Sequence, residues 1–186
     1  MVERVIKPGQ KFHRYAWHDR KAWWQQEQGI LAYLILQGHI PANSEYKKYA
    51  DESAAFYNAF FLDHNDGGVY FNVLANGNPY LMGTERFKGS HSMSAYHSTE
   101  LCFLSTVYID LMIQKRPLDL FFKPMANGFE NRILRVSPDM LPPGSMRITA
   151  CTIDGQPYNN FNSEKLYVQL PTSDNRLSVK VTVTPN

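Results

Sequence analysis

Hydrophobic and polar positions along the chain repeat with one period in its first part and another in its last. From residue 22 to 37 the period is helical: Trp24, Gln28, Leu31 and Ile35 fall on one face, and Trp23, Ile30 and Leu34 on the adjoining one. Gly38 stands where a helix stop is expected, with Pro41 beyond it. A second helix is expected over 44–62, striped by Tyr46, Tyr49, Ala50, Phe56, Phe60 and Phe61. Between Asp66-Gly67-Gly68 and Ala75-Asn76-Gly77-Asn78-Pro79 lies Val69-Tyr70-Phe71-Asn72-Val73-Leu74, so a hairpin is predicted over 67–80. A third helix is predicted over 92–114, with His97, Leu101, Leu104, Tyr108 and Leu111 on its apolar face, and Pro117 ends it. Residues 1–20 show no period and read as an irregular lead-in.

After Pro117 the helical period is gone. Strands are expected at 120–123, 132–136, 146–153, 166–170 and 177–184, with a hairpin turn at Asp154-Gly155. The strict alternation of residues 179–184 predicts a strand with one wet face. The pattern is α+β, with a helical part over 1–117 and a small antiparallel β module over 118–186. The helical stripes are wide and aromatic. Three helices bury such faces only in part, so the helical part is expected to belong to a larger helical assembly or to need a partner chain.

Composition narrows the function classes. The 186 residues are 44% hydrophobic and 19% charged, which suits a folded globular protein. The aromatic share of 13% suits a large core and equally suits the flat rings that pack on sugars. A net charge of +2 argues against a nucleic-acid groove or a polybasic membrane patch. No apolar run approaches the roughly 18–20 residues that span a bilayer, and no secretory leader is recognisable. Cys102 and Cys151 lack metal-ligand spacing and read as two buried thiols of a reduced, cytoplasmic protein. No phosphate loop, dinucleotide glycine motif, nucleophile elbow or zinc spacing is present, and neither metal nor cofactor is expected.

The chemistry-bearing residues fall in two stretches. In Trp23-Trp24-Gln25-Gln26-Glu27-Gln28 the two tryptophans point about 100° apart, while Trp24 and Gln28 share a face. An indole with an amide one turn later can stack on a sugar and bond its hydroxyls; two core rings with an interior amide fit the same letters. In the second stretch, His97 extends an apolar stripe near the start of a helix, where the helix dipole disfavours a cation and suits a neutral general base. Glu100 lies one turn on, where it could orient His97 or capture a hydroxyl. Tyr96 and His91 are taken as further sugar contacts, and Glu85 as a weaker one. A structural interior histidine fits the same pattern. Asp63, His64 and Asp66 resemble metal ligands, but the Gly67-Gly68 that follows argues for a solvated turn.

Taken together, Trp-Trp-x-Gln at a helix start, a Gly-Gly-aromatic hairpin and Lys-Gly followed by Tyr96-His97 resemble the last helices of the N-acylglucosamine 2-epimerase and cellobiose 2-epimerase superfamily over about residues 21–115. That family folds as an (α/α)6 barrel. The resemblance implies that His97 is one proton-transfer base, that Trp24 stacks on a small-molecule sugar, and that the chain is the C-terminal segment of a sugar epimerase. The rest of the barrel would come from missing helices or a partner chain. Gln28 stands where the family has glutamate, and Phe87 where a pocket tryptophan is usual. The family's second catalytic histidine has no counterpart before Trp23. Two other functions suit parts of the sequence: an (α/α)6 glycoside hydrolase using Glu85 and Glu100, and a non-catalytic carbohydrate-binding or interaction module.

Overall fold

The computed structural model describes residues 9, 20–81, 87–88, 93–136 and 141–186. Its chain divides into two compact units, Met1–Ser105 and Thr106–Asn186, mixed in helix and sheet, with every strand pairing antiparallel.

The first unit opens on a short strand, β1 (Arg20–Ala22), which leads directly into α1 (Trp23–His39). Of the irregular lead-in expected over 1–20, residues 1–8 and 10–19 lie outside the described residues, and Arg20 starts this strand instead. The partner of β1 is β2 (Asn72–Leu74), with Arg20 opposite Leu74 and Ala22 opposite Asn72. Helix α1 has no side-chain cap; the Trp23 N–H donates to the Phe71 carbonyl at 3.0 Å, so strand pairing starts the helix. Gly38 does not stop it. The helix runs through to His39 and is closed by the Ile40 N–H on the Leu36 carbonyl. Its buried positions are Trp23, Glu27, Ile30, Leu31 and Leu34, a stripe at i, i+4, i+7, i+8 and i+11 that takes the Trp23 face together with Leu31 from the Trp24 face.

Helix α2 (Ser44–Phe60) is capped by Asn43, whose side-chain oxygen accepts the Glu45 N–H. It packs on α1 through Ala50 and Tyr57, while Tyr49 and Phe60 of its expected stripe stay exposed. The predicted hairpin is present only in small form. Val73 bridges Pro79 around the Asn76-Gly77 turn, and the extended pairing of β2 goes to β1. Gly77 sits at φ +91°, and a Cβ there would stand 2.5 Å from the Phe60 ring. Gly77→Ala is therefore expected to destabilise the first unit by about 1–3 kcal/mol; an unchanged urea midpoint would sink that account.

Helix α3 (Tyr96–Val107) begins four residues later than the period suggested, and the division between units falls inside it. It does not run on as α-helix to 114. Residues Tyr108–Ile113 form a π-helical turn, with Gln114 N–H on the Ile109 carbonyl at 2.7 Å, an i→i+5 bond.

The second unit holds two antiparallel sheets. One has the order β3-β9-β5-β6, from β3 (Leu118–Phe122), β9 (Val179–Pro185), β5 (Met146–Ile153) and β6 (Gln156–Pro157). The other has the order β4-β8-β7, from β4 (Ile133–Arg135), β8 (Tyr167–Gln169) and β7 (Phe161–Asn162). Strand β9 is central, with Val179, Val181 and Val183 buried and the residues between them half-exposed, as the alternation required. Asp154 and Gly155 both have positive φ, the backbone that a two-residue turn between β5 and β6 needs. Cys151 is buried in β5, but Cys102 is exposed, contrary to the expected pair of buried thiols. Among the described residues no helix is long and apolar enough to cross a membrane.

Candidate functional site

The first two turns of α1 and α3 bring Trp24, Gln28, Tyr96, His97 and Glu100 together within the first unit. His91 and Glu85 lie outside the described residues. The His97 imidazole stacks near the Trp24 indole, with centroids 6.0 Å apart and planes 28° from parallel. Trp23 meets the same ring at 6.2 Å and Tyr96 at 5.1 Å, both edge-on at 75°. The two tryptophans thus do different things. Trp23 is 3% exposed and packs on Phe71 at 4.4 Å, whereas Trp24 is 39% exposed.

A polar chain crosses from one helix to the other. Gln28 Nε2 donates to Glu100 Oε2 at 2.7 Å, and the same nitrogen lies 3.4 Å from His97 Nδ1. Tyr96 Oη donates to Glu100 Oε1 at 3.3 Å. Glu100 Oε2 is 3.7 Å from His97 Nδ1, outside hydrogen-bond reach. Both Glu100 oxygens are therefore held by donors. The result is a half-exposed wall of indole, imidazole, phenol, amide and carboxylate, groups suited to a sugar's C–H faces and hydroxyls.

A buried carboxylate that belongs to neither motif joins the same helices. Glu27 is fully buried, and its Oε1 accepts from Tyr57 Oη at 2.5 Å and from Ser98 Oγ at 2.7 Å. Among the described residues neither Glu27 Oε2 nor the Trp23 indole N–H has a partner. Burial, followed by the hydrogen bond and charge of Glu27, pushes the Tyr57 phenol well above its ordinary range, so it stays a donor. One carboxylate thus ties α1, α2 and α3 together, through the residue that follows His97. Glu27 could have been found from its spacing. It lies one turn from the inward Trp23, so the face that buries Trp23 must bury Glu27.

Asp63, His64 and Asp66 are where the turn reading put them. Asp63 Oδ1 accepts the Asn65 and Asp66 N–H groups at 3.0 and 3.1 Å, and Oδ2 takes the Lys88 ammonium at 2.8 Å. The Lys88 ammonium and then these two amides hold the Asp63 carboxyl far below the usual range. His64 Nε2 is engaged with the Asn58 carbonyl at 2.7 Å. Among the described residues, His, Cys, Asp and Glu side chains do not gather in threes at metal-binding distance.

No family model and no curated protein matches the chain. Solved structures similar to part of it include cellobiose 2-epimerase from Spirochaeta thermophila DSM 6192, at 21% identity and TM-score 0.45 over 49% of this chain and 22% of that one. A sugar epimerase from a ruminal bacterium is similar at 17% identity and TM-score 0.43, over 49% and 23%. Cellobiose 2-epimerase from Bacillus thermoamylovorans B4167 is similar at 19% identity and TM-score 0.41, over 47% and 21%. The chain spans less than a quarter of the length of each.

Proposed function

We propose that the wall formed by Trp24, Gln28, Tyr96, His97 and Glu100 is one side of a sugar site of epimerase type, the other side coming from further helices of a longer protein or from a partner chain. The observation that carries this reading is the joining of the α1 and α3 motifs on one surface, with Trp24 stacked by His97 and Gln28 bonded to Glu100. Trp24 packs on the sugar face, Glu100 and Gln28 take hydroxyls, and His97 serves proton transfer at the carbon beside the open-chain carbonyl. The substrate class is a reducing sugar, such as an N-acylglucosamine or a cellobiose-like disaccharide. The protein would be cytoplasmic.

The test is solvent deuterium incorporation at the carbon beside the carbonyl, followed by proton NMR on the chain together with the helices that complete it. His97→Ala is expected to slow exchange by about 10²-fold or more; exchange that survives this substitution at the original rate would remove His97 from the reaction. A second reading, sugar binding without turnover, is favoured by Gln28, because an amide supplies no charge where the resemblance expects a carboxylate. Under it, sugars bind and Trp24→Ala abolishes binding, yet no exchange is seen.

A further inference from the structure

Gln28 is the departure from the epimerase motif that lies nearest to the imidazole, and its hydrogen bonds have a chemical consequence for His97. The orientation of its amide is set by Glu100, since a carboxylate only accepts and the amide nitrogen must therefore face it at 2.7 Å. That nitrogen carries a second hydrogen and has no lone pair to offer. The same nitrogen lies 3.4 Å from His97 Nδ1, so the contact is favourable only if Nδ1 is the bare acceptor. An Nδ1–H would meet another N–H, and the carboxylate facing it, Glu100 Oε2, is 3.7 Å away and already takes the Gln28 hydrogen. In a neutral imidazole one nitrogen accepts and the other donates, and the bond made by one fixes the state of the other.

The geometry points to Gln28 as the positioning residue that holds neutral His97 with its hydrogen on Nε2, making His97 a hydrogen-bond donor to the sugar carbonyl oxygen rather than the base that takes the carbon-bound proton. Nε2 has no partner among the described residues, and the side chain is 29% exposed, so the ring is open to a ligand. Among the described residues, the groups facing the ring are the Trp23, Trp24 and Tyr96 rings, Gln28 and Glu100, and of the charged or amide groups there only Gln28 is within hydrogen-bond distance of a ring nitrogen. A neutral imidazole can polarise a carbonyl in this way and so acidify the adjacent C–H, leaving proton removal to a different group. A carboxylate at position 28 would do the opposite. It would accept Nδ1–H and leave the Nε2 lone pair free as a base.

This inference takes its ligand class from the proposed function and replaces the proton-transfer role given there to His97 with that of a hydrogen-bond donor; its test needs no sugar. Long-range proton–nitrogen NMR correlations on the ¹⁵N-labelled 186-residue chain, at a pH where imidazole is neutral, report which ring nitrogen carries hydrogen. His97 is assigned among the six histidines by the signal lost in His97→Ala. The expected wild-type pattern is hydrogen on Nε2, with Gln28→Glu moving it to Nδ1. Gln28→Met removes the donor while keeping the bulk, and is expected to give a mixture of the two tautomers. Hydrogen on Nδ1 in the wild-type chain would overturn the assignment. A spectrum unmoved by both substitutions would remove Gln28 from the role. Failure of sugars to bind would count against the proposed function and leave the tautomer result standing.

Discussion

Replacing Glu27 by alanine is expected to lower stability by about 3–5 kcal/mol, a large share of what holds a domain of this size. The cost has two sources. Tyr57 and Ser98 would each keep a hydroxyl facing the space left by the carboxylate, and a buried donor without an acceptor costs about 1–3 kcal/mol. The missing carboxyethyl group also leaves a void between packed helices, which adds the usual cavity cost. Glu27→Gln keeps the volume and one acceptor oxygen, so its cost is expected to be nearer 1–2 kcal/mol. Urea denaturation of the three proteins checks this ordering. Equal midpoints for Glu27→Ala and wild type would mean that the carboxylate does not hold the helices together.

The two adjacent tryptophans should separate stability from binding. Trp23→Ala removes a ring that is 3% exposed and packs on Phe71 and the edge of His97, and is expected to cost about 3–5 kcal/mol. Trp24→Ala removes a ring that is 39% exposed, and is expected to change stability by less than about 1 kcal/mol while weakening sugar binding. Thermal unfolding and a sugar titration on each variant read the two effects. If Trp24→Ala proves as destabilising as Trp23→Ala, its ring is core, and the binding wall loses its stacking surface.

The parts of the fold legible in the sequence were those set by local pattern. The 146–153 strand emerges with its expected bounds, and the Asp154-Gly155 turn has the positive φ angles that its letters call for. The first two helices lie within two residues of expectation at each end. What the sequence hid depended on distant partners. Strand β1 exists because Asn72–Leu74 pairs with it, and nothing within residues 20–22 signals that pairing. The π-helical turn interrupts a stripe whose apolar spacing is compatible with α-helix throughout, so hydrophobic period could not reveal it. At the candidate site, Trp24, Gln28, Tyr96, His97 and Glu100 were singled out from motif and spacing. Glu27 was not, because a carboxylate is ordinarily assigned to the wet face. Its burial depends on two hydroxyls from helices 30 and 71 residues away.

Those separations also lead to an expected order of events in folding. The Tyr57 hydroxyl reaches Glu27 once α1 and α2 have formed a hairpin, a short loop to close. Ser98 reaches the same oxygen across 71 residues, a contact expected to follow the β1–β2 pairing and the Asp63–Lys88 ion pair that gather the chain between them. On sequence separation, the desolvation of Glu27 is expected to fall late in the folding of the first unit. Substitutions at Ser98 should accordingly speed unfolding more than they slow refolding.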